Sequence, residues 1–467
     1  MANVPIPLVG PTYSSRSLPV AAQVTKNFYI EVNQAAPDNQ TITAFQPFPG
    51  LKPWATTENG IDRGLGVYQN ELYKVSGQNL YKIDQFGDET LIDTISGYER
   101  CQLVEATSDL VITTGTTKPY TYDGATVTLG TDVDLHTSDS VTYIKSRVVY
   151  DGAGGGVIFA DLTTPLSVNS ANIIIEDGNT QTVYAFKDQL FVFTDRSIVP
   201  YYNSGVGNPP YDVIQNAVQE IGLGGVHSVS SNNNFMYFLG SDLKPYRMAG
   251  LQPQNIGNPA IGQAIDSYAT TDNAIGHCFT LNNQNFYLLS FPSHETWLFS
   301  EGAGWTNLTY GDDMPHLIGD YAYCYGKHLV SDRRNGDIYE LDFDTYTDNG
   351  TTIFRQRDTA KISGKSFGAP GKEIFMERLE IVIETGVGTM TGQGSDPQIT
   401  MEYSDDGGRS WSSQRWASMG ELGDYASMKP IVWNDLGSFY ERMFRFKVTD
   451  PVKCVLISAS ADIEVGA

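Results

Sequence analysis

Three short stretches of this 467-residue sequence hold residue types that could do chemistry, and in each the spacing argues against it. Gly364-Lys365-Ser366 ends like a phosphate-binding loop, but the position of the first glycine is Thr359 and no helical pattern follows. Backbone amides cannot then wrap phosphates onto a helix N-terminus, so a turn is expected. Gly152-Ala153-Gly154-Gly155-Gly156 is equally helix-free and reads as a hairpin tip. Asp342, Asp344 and Asp348 could offer oxygens to calcium, yet Tyr346 breaks the alternation of an EF-hand loop and the closing Glu is absent. A solvated turn between domains is the expectation there. The six histidines form no HxH or HxxxH pair and the four cysteines no CxxC pair, so zinc is unsupported and reduced, buried thiols are expected. No Gly-x-Ser-x-Gly elbow occurs, and acidic pairs are too common to single out two as glycosidase carboxylates. The reading is a protein with no catalytic residue, no metal ligand and no cofactor.

One motif is specific. Ser404, Asp406, Gly408, Ser410 and Trp411 fit the Asp-box pattern S-x-D-x-G-x-[ST]-W. Here the Asp and Ser side chains satisfy turn amides while the Trp packs beneath, a structural role.

The elements that would position such residues are strands. Almost nothing has helical period; short alternating apolar runs are separated by Asn, Asp, Gly and Ser. One unit recurs: a polar turn, an apolar strand, a second turn, an aromatic strand. Its anchors are Leu72, Leu110, Val148, Leu190, Met236, Phe286 and Leu329, about 43 residues apart, within the blade length of β-propellers. A lone four-stranded blade cannot cover its apolar faces, whereas radial packing covers both. Seven anchors predict seven blades over residues 61–346. After Tyr346 the repeat stops. Leu379-Glu380-Ile381-Val382-Ile383 and Phe444-Arg445-Phe446-Lys447-Val448 alternate with period two, predicting a β-sandwich-like domain over 347–467. Residues 1–60 are Pro-rich and irregular, predicting an extended N-terminal arm that can also lend a strand to close the ring.

Composition bounds the function. With 30 Lys and Arg against 54 Asp and Glu, the net charge is −24, which argues against tight binding of DNA or anionic membrane. A content of 40% hydrophobic and 18% charged residues excludes a disordered acidic chain. No apolar run nears the ~18 residues of a membrane span, and Met1 to Pro11 lacks the basic head and apolar stretch of a signal peptide. No membrane insertion is therefore expected.

The order of motifs adds a resemblance. Asn27-Phe28-Tyr29-Ile30-Glu31-Val32 leads to Phe48-Pro49-Gly50-Leu51, then Arg63-Gly64-Leu65-Gly66-Val67. The hairpin Leu72-Tyr73-Lys74-Val75-Ser76-Gly77 with Leu80-Tyr81-Lys82 follows. Tyr403-Ser404-Asp405-Asp406-Gly407 and a terminal Ile463-Glu464-Val465 complete the series. This sequence resembles the tail hub, or nozzle, proteins of short-tailed bacteriophages, also called packaged-DNA stabilisation proteins. The resemblance implies a structural virion protein, assembled in the host cytoplasm as a homo-hexameric ring below portal and adaptor. It also implies contacts with the tail adaptor ring, a needle or plug, and fibres or spikes, and a conduit for double-stranded DNA. The residues alone leave open a carbohydrate-binding or glycosidase-like propeller acting on a host surface glycan, and a protein-interaction propeller of cellular origin.

Overall fold

The computed structural model describes residues 2–18, 20–33, 42–57, 60–424 and 430–466. Among the described residues strands dominate, with one α-helix, Pro259–Ser267, capped by the Asn258 side chain, which accepts from the amides of Ala260 and Ile261.

Six meanders of four consecutive strands run at 62–94, 102–129, 141–175, 180–213, 230–255 and 275–310, the first five as separate sheets and the sixth within a larger one. They are blades 1 to 6. A seventh, at 318–342, has three consecutive strands and takes its fourth, Gly50–Thr56, from before the ring. The predicted count of seven is thus reached only with this composite sheet. Seven apolar cores lie between successive blades and close a circle, the last joining Leu65, Leu72 and Ile83 of blade 1 to Leu329 and Ile338 of blade 7. All seven anchors are buried. Each sits in the second strand of its blade, where both faces meet a neighbouring blade.

Five blades enter that strand through a two-residue turn with both residues at positive φ: Gln69-Asn70, Lys145-Ser146, Lys187-Asp188, Asn282-Asn283 and Tyr325-Gly326. This mirror-image turn matches the twist of the strands it joins.

The described part of the N-terminal segment packs on both domains and lends the ring its closing strand, as expected of the arm. Ala2–Ile6 pairs with the last strand, Leu456–Val465; Phe28–Asn33 pairs with Ile42–Pro47; Gly50–Thr56 closes blade 7. The reason is alternation: Phe28, Ile30 and Phe45 face the sandwich core, while Tyr29, Phe48 and Leu51 face the core between blades 6 and 7. The segment is a septum with one apolar face for each domain. Its closing strand is tightly seated, since a Cβ on Gly50 would lie 2.3 Å from the Thr345 carbonyl oxygen.

The sandwich has two sheets. One is centred on the pair Ile374–Ile383 and Leu456–Val465. The other pairs Gln398–Ser404 with Glu441–Val448, then continues through Arg355–Asp358 and Ala22–Lys26 to Gly304–Tyr310, the last strand of blade 6. Propeller and sandwich therefore share one uninterrupted sheet.

Candidate functional site: the propeller axis and the seam with the sandwich

The innermost strands of the blades surround a cavity of about 640 Å³ at the axis, lined in part by Asp62, Glu99, Arg100, Asp139, His227 and Arg333. A smaller space of about 220 Å³ beside it is bounded by His277, Asp320 and Tyr321. Charges here are mixed, and some are paired. Lys74 Nζ lies 3.4 Å from Asp62 Oδ1, Arg100 pairs with Asp320, and His277 Nε2 sits 3.0 Å from the Gly319 carbonyl oxygen. Buried Arg63 donates to the carbonyls of Glu99, Gly77 and Ile95, knitting blade 1 to the loop that leads into blade 2. Burial pushes the carboxyls of Asp62 and Asp320 up, opposed by Lys74 and Arg100. Burial likewise holds His227 and His277 neutral, down to about 3.

The seam is built on Arg355-Gln356-Arg357-Asp358, a strand buried at all four residues. Arg357 donates to the carbonyls of Leu8 at 2.7 Å, Gly10 at 3.0 Å and Pro11 at 3.3 Å, and to Thr25 Oγ1 and Gln23 Oε1. Asp358 accepts a bidentate pair from Arg445 at 2.8 and 2.7 Å. Such fork geometry is why arginine suits buried pairs. Arg445 in turn lies 3.7 Å from the Trp411 ring centroid, so the Asp box reaches the seam through its tryptophan. Within that turn, Asp406 accepts from the amides of Arg409 and Ser410 and from the Ser404 and Ser410 hydroxyls, and the Gly408 amide donates to Ser404 Oγ. These bonds hold the Asp406 carboxyl well below the usual range.

The other sequence candidates fall where turns were expected. Gly364–Phe367 is a single 3₁₀ turn ended by Gly368 at φ 75°. Gly152 and Gly156 pair across a hairpin tip. Asp342 binds Lys52 and the Thr345 hydroxyl, whereas Asp348 is buried and accepts from the Leu51 amide, so the three aspartates do not converge on one point. That last contact corrects the expectation of a wholly solvated turn: Asp348 turns inward because the closing strand needs an acceptor. The four cysteines are free thiols. Among the described residues no cluster of three His, Cys, Asp or Glu is placed to hold a metal ion. Sequence reasoning missed both the axial charge cluster and the buried Arg355–Asp358 strand, because four polar residues in a row read as surface.

His316 gives the site a measurable titration. It is 2% exposed, stacked edge-on against Phe48, with Nε2 3.7 Å from Asp348. Burial, aided by Arg333, pushes it down to about 3, while Asp332 opposes. The unfolded chain then binds an extra proton below about pH 6.5, so this residue's contribution falls as the pH drops from there toward 3. Urea midpoints should show His316→Gln gaining on the parent by about 1.4 kcal/mol per pH unit across that window. A gap independent of pH would contradict the assignment.

Fold and site together define a class: an all-β protein in which a closed propeller and a sandwich are fused through a common sheet. The profile described as "Bacteriophage P22 Gp10, beta-propeller" matches residues 4–346, and "Bacteriophage P22 Gp10, beta-sandwich" matches 364–464. The chain belongs to this family, the tail hub or stabilisation proteins of short-tailed phages. No curated protein matches it. Among solved structures, the computationally designed Ika8 protein shares 10% identity at TM-score 0.39, covering 60% of this chain and 84% of its own. The Neurospora crassa Pan2 WD40 domain shares 6% at 0.42, covering 63% and 94%. BamB from Moraxella catarrhalis shares 7% at 0.39, covering 69% and 96%. Likenesses this slight carry no function across.

Proposed function

We propose that the protein is a non-enzymatic building block of the virion tail, a hub whose six copies form a ring that prolongs the DNA channel below the adaptor. In this reading the ring helps retain packaged DNA and carries the needle or plug and the fibres or spikes, after assembly in the host cytoplasm. The observation that carries it is the family match to both domains in order. A rigid joint between those domains suits a load-bearing part, and a net charge of −24 suits a conduit that lets phosphates pass without trapping them. Heterologous contacts that close on themselves make such rings. The sandwich offers candidate contact residues in Phe375, Met390, Trp416 and Tyr440, large apolar side chains left exposed there. Purified protein mixed with its adaptor should give sixfold rings under negative stain. Persistent monomers in that mixture would count against the hub.

A second reading has one observation behind it. A cavity of about 360 Å³ at the seam is lined in part by Tyr29, Phe343 and Tyr346 with Glu31, Asp344 and Lys453, aromatic and polar groups of the kind that hold a sugar. A glycan array separates the two: saturable binding to one saccharide class favours this reading, and blank spots dismiss it.

A further inference from the structure

We propose that Asp62 and Lys74 become joined by an intramolecular amide, a side-chain cross-link between the first two strands of blade 1. The strands are Asp62–Tyr68 and Glu71–Ser76, antiparallel neighbours. The Lys74 ammonium and Asp62 Oδ1 are 3.4 Å apart, with side chains 0% and 1% exposed. Asp62 is held in one pose. Its Oδ2 accepts from Ser331 Oγ at 2.6 Å, and Gly319 packs so closely that a Cβ there would fall 2.4 Å from Oδ2. Oδ1, the oxygen facing the amine, accepts no hydrogen bond. Lys74 Nζ is aimed by a bond to the Asp337 carbonyl at 3.2 Å. A third carboxyl is close by: Asp320 follows the Gly319 that packs on Asp62, its amide donates to the same Ser331 Oγ, and its side chain, held by Arg100, is buried with Oδ2 lacking a hydrogen-bond partner.

These are the parts that amide formation needs. An ammonium and a carboxylate do not react, but an amine and a carboxylic acid do, and burial pushes the Asp62 carboxyl toward its neutral form. Passing one proton from Nζ to Asp62 leaves NH₂ against COOH. Nitrogen attacks Cγ, the Asp320 carboxylate takes a proton from nitrogen and returns it to the departing oxygen, and water leaves. One C–N bond forms, one C–O bond breaks, and nothing is oxidised or reduced. The water has an exit, because Asp62 lines the 640 Å³ axial cavity. The product removes two buried charges that an ion pair would have to keep desolvated.

Intact mass spectrometry of the purified full chain decides it. The expected mass is below that of the sequence by one water, after allowance for the initiator methionine. Trypsin should then spare Lys74, giving one branched peptide that joins the segment ending at Arg63 to the segment through Lys82. Asp62→Asn should reach the same final mass by losing ammonia, and Asp320→Ala should keep the full sequence mass. A wild-type chain at sequence mass overturns the proposal. So does a water-deficient chain still cut after Lys74, since that marks a succinimide. A cross-linked Asp320→Ala removes Asp320 from the reaction.

Discussion

Leu51→Asp should abolish the folded, soluble protein. Leu51 is fully buried in the strand that completes blade 7, within the core shared by blades 6 and 7. Losing the leucine alone costs about 2–5 kcal/mol, and burying a carboxylate in its place adds several more. A typical chain has only ~5–15 kcal/mol of stability in total, so the ring opens. Its backbone amide already uses the Asp348 carboxyl, and a second carboxylate beside that one would repel it. Leu51→Met, which keeps the volume, should cost less than about 1.5 kcal/mol. Circular dichroism and urea titration of both variants test this; a cooperative Leu51→Asp transition near the parent midpoint would refute the closing role.

The second large effect is expected at Arg357. Arg357→Met should destabilise the protein by about 3–5 kcal/mol, the range found when one partner of a buried charged network is removed. The Leu8 carbonyl would be left buried without its donor and the half-buried Pro11 carbonyl would lose its own, while Gly10 keeps only the Thr25 hydroxyl. Because these carbonyls belong to the N-terminal segment and Arg357 to the shared sheet, the loss falls on the joint. Calorimetry should show the parent's single endotherm splitting in two as propeller and sandwich part. Arg357→Lys should not rescue it, since a point charge cannot reach five acceptors set for a planar fork. An unsplit endotherm at the parent temperature would speak against the joint.

The ring and the sandwich were legible because their signals are local. Anchors such as Leu190 and Leu329 repeat with the blade, and Leu379-Glu380-Ile381 alternates as a half-buried strand must. The Asp box was legible because its bonds lie within seven residues of Ser404. What escaped was set by distant partners. Arg355-Gln356-Arg357-Asp358 is buried only because the N-terminal segment and Arg445 come to it from far along the chain. The axial cluster escaped for the same reason, since Asp62 and Asp320 meet only when the circle closes. Turns such as Lys145-Ser146 hid because neither residue favours positive φ; the strands on either side impose it.

The pairing of Ala2–Ile6 with Leu456–Val465 governs when this protein can exist at all. Asn3 Nδ2 donates to Asp462 Oδ1 across 459 residues of chain. At ~5–20 residues per second, Ala2–Ile6 waits roughly 20–90 s after its own synthesis for its partner. Blades can form in order during that interval, but the sandwich edge cannot. A stalled or truncated product therefore lacks this strand pair, so a complete sandwich edge reports a complete chain.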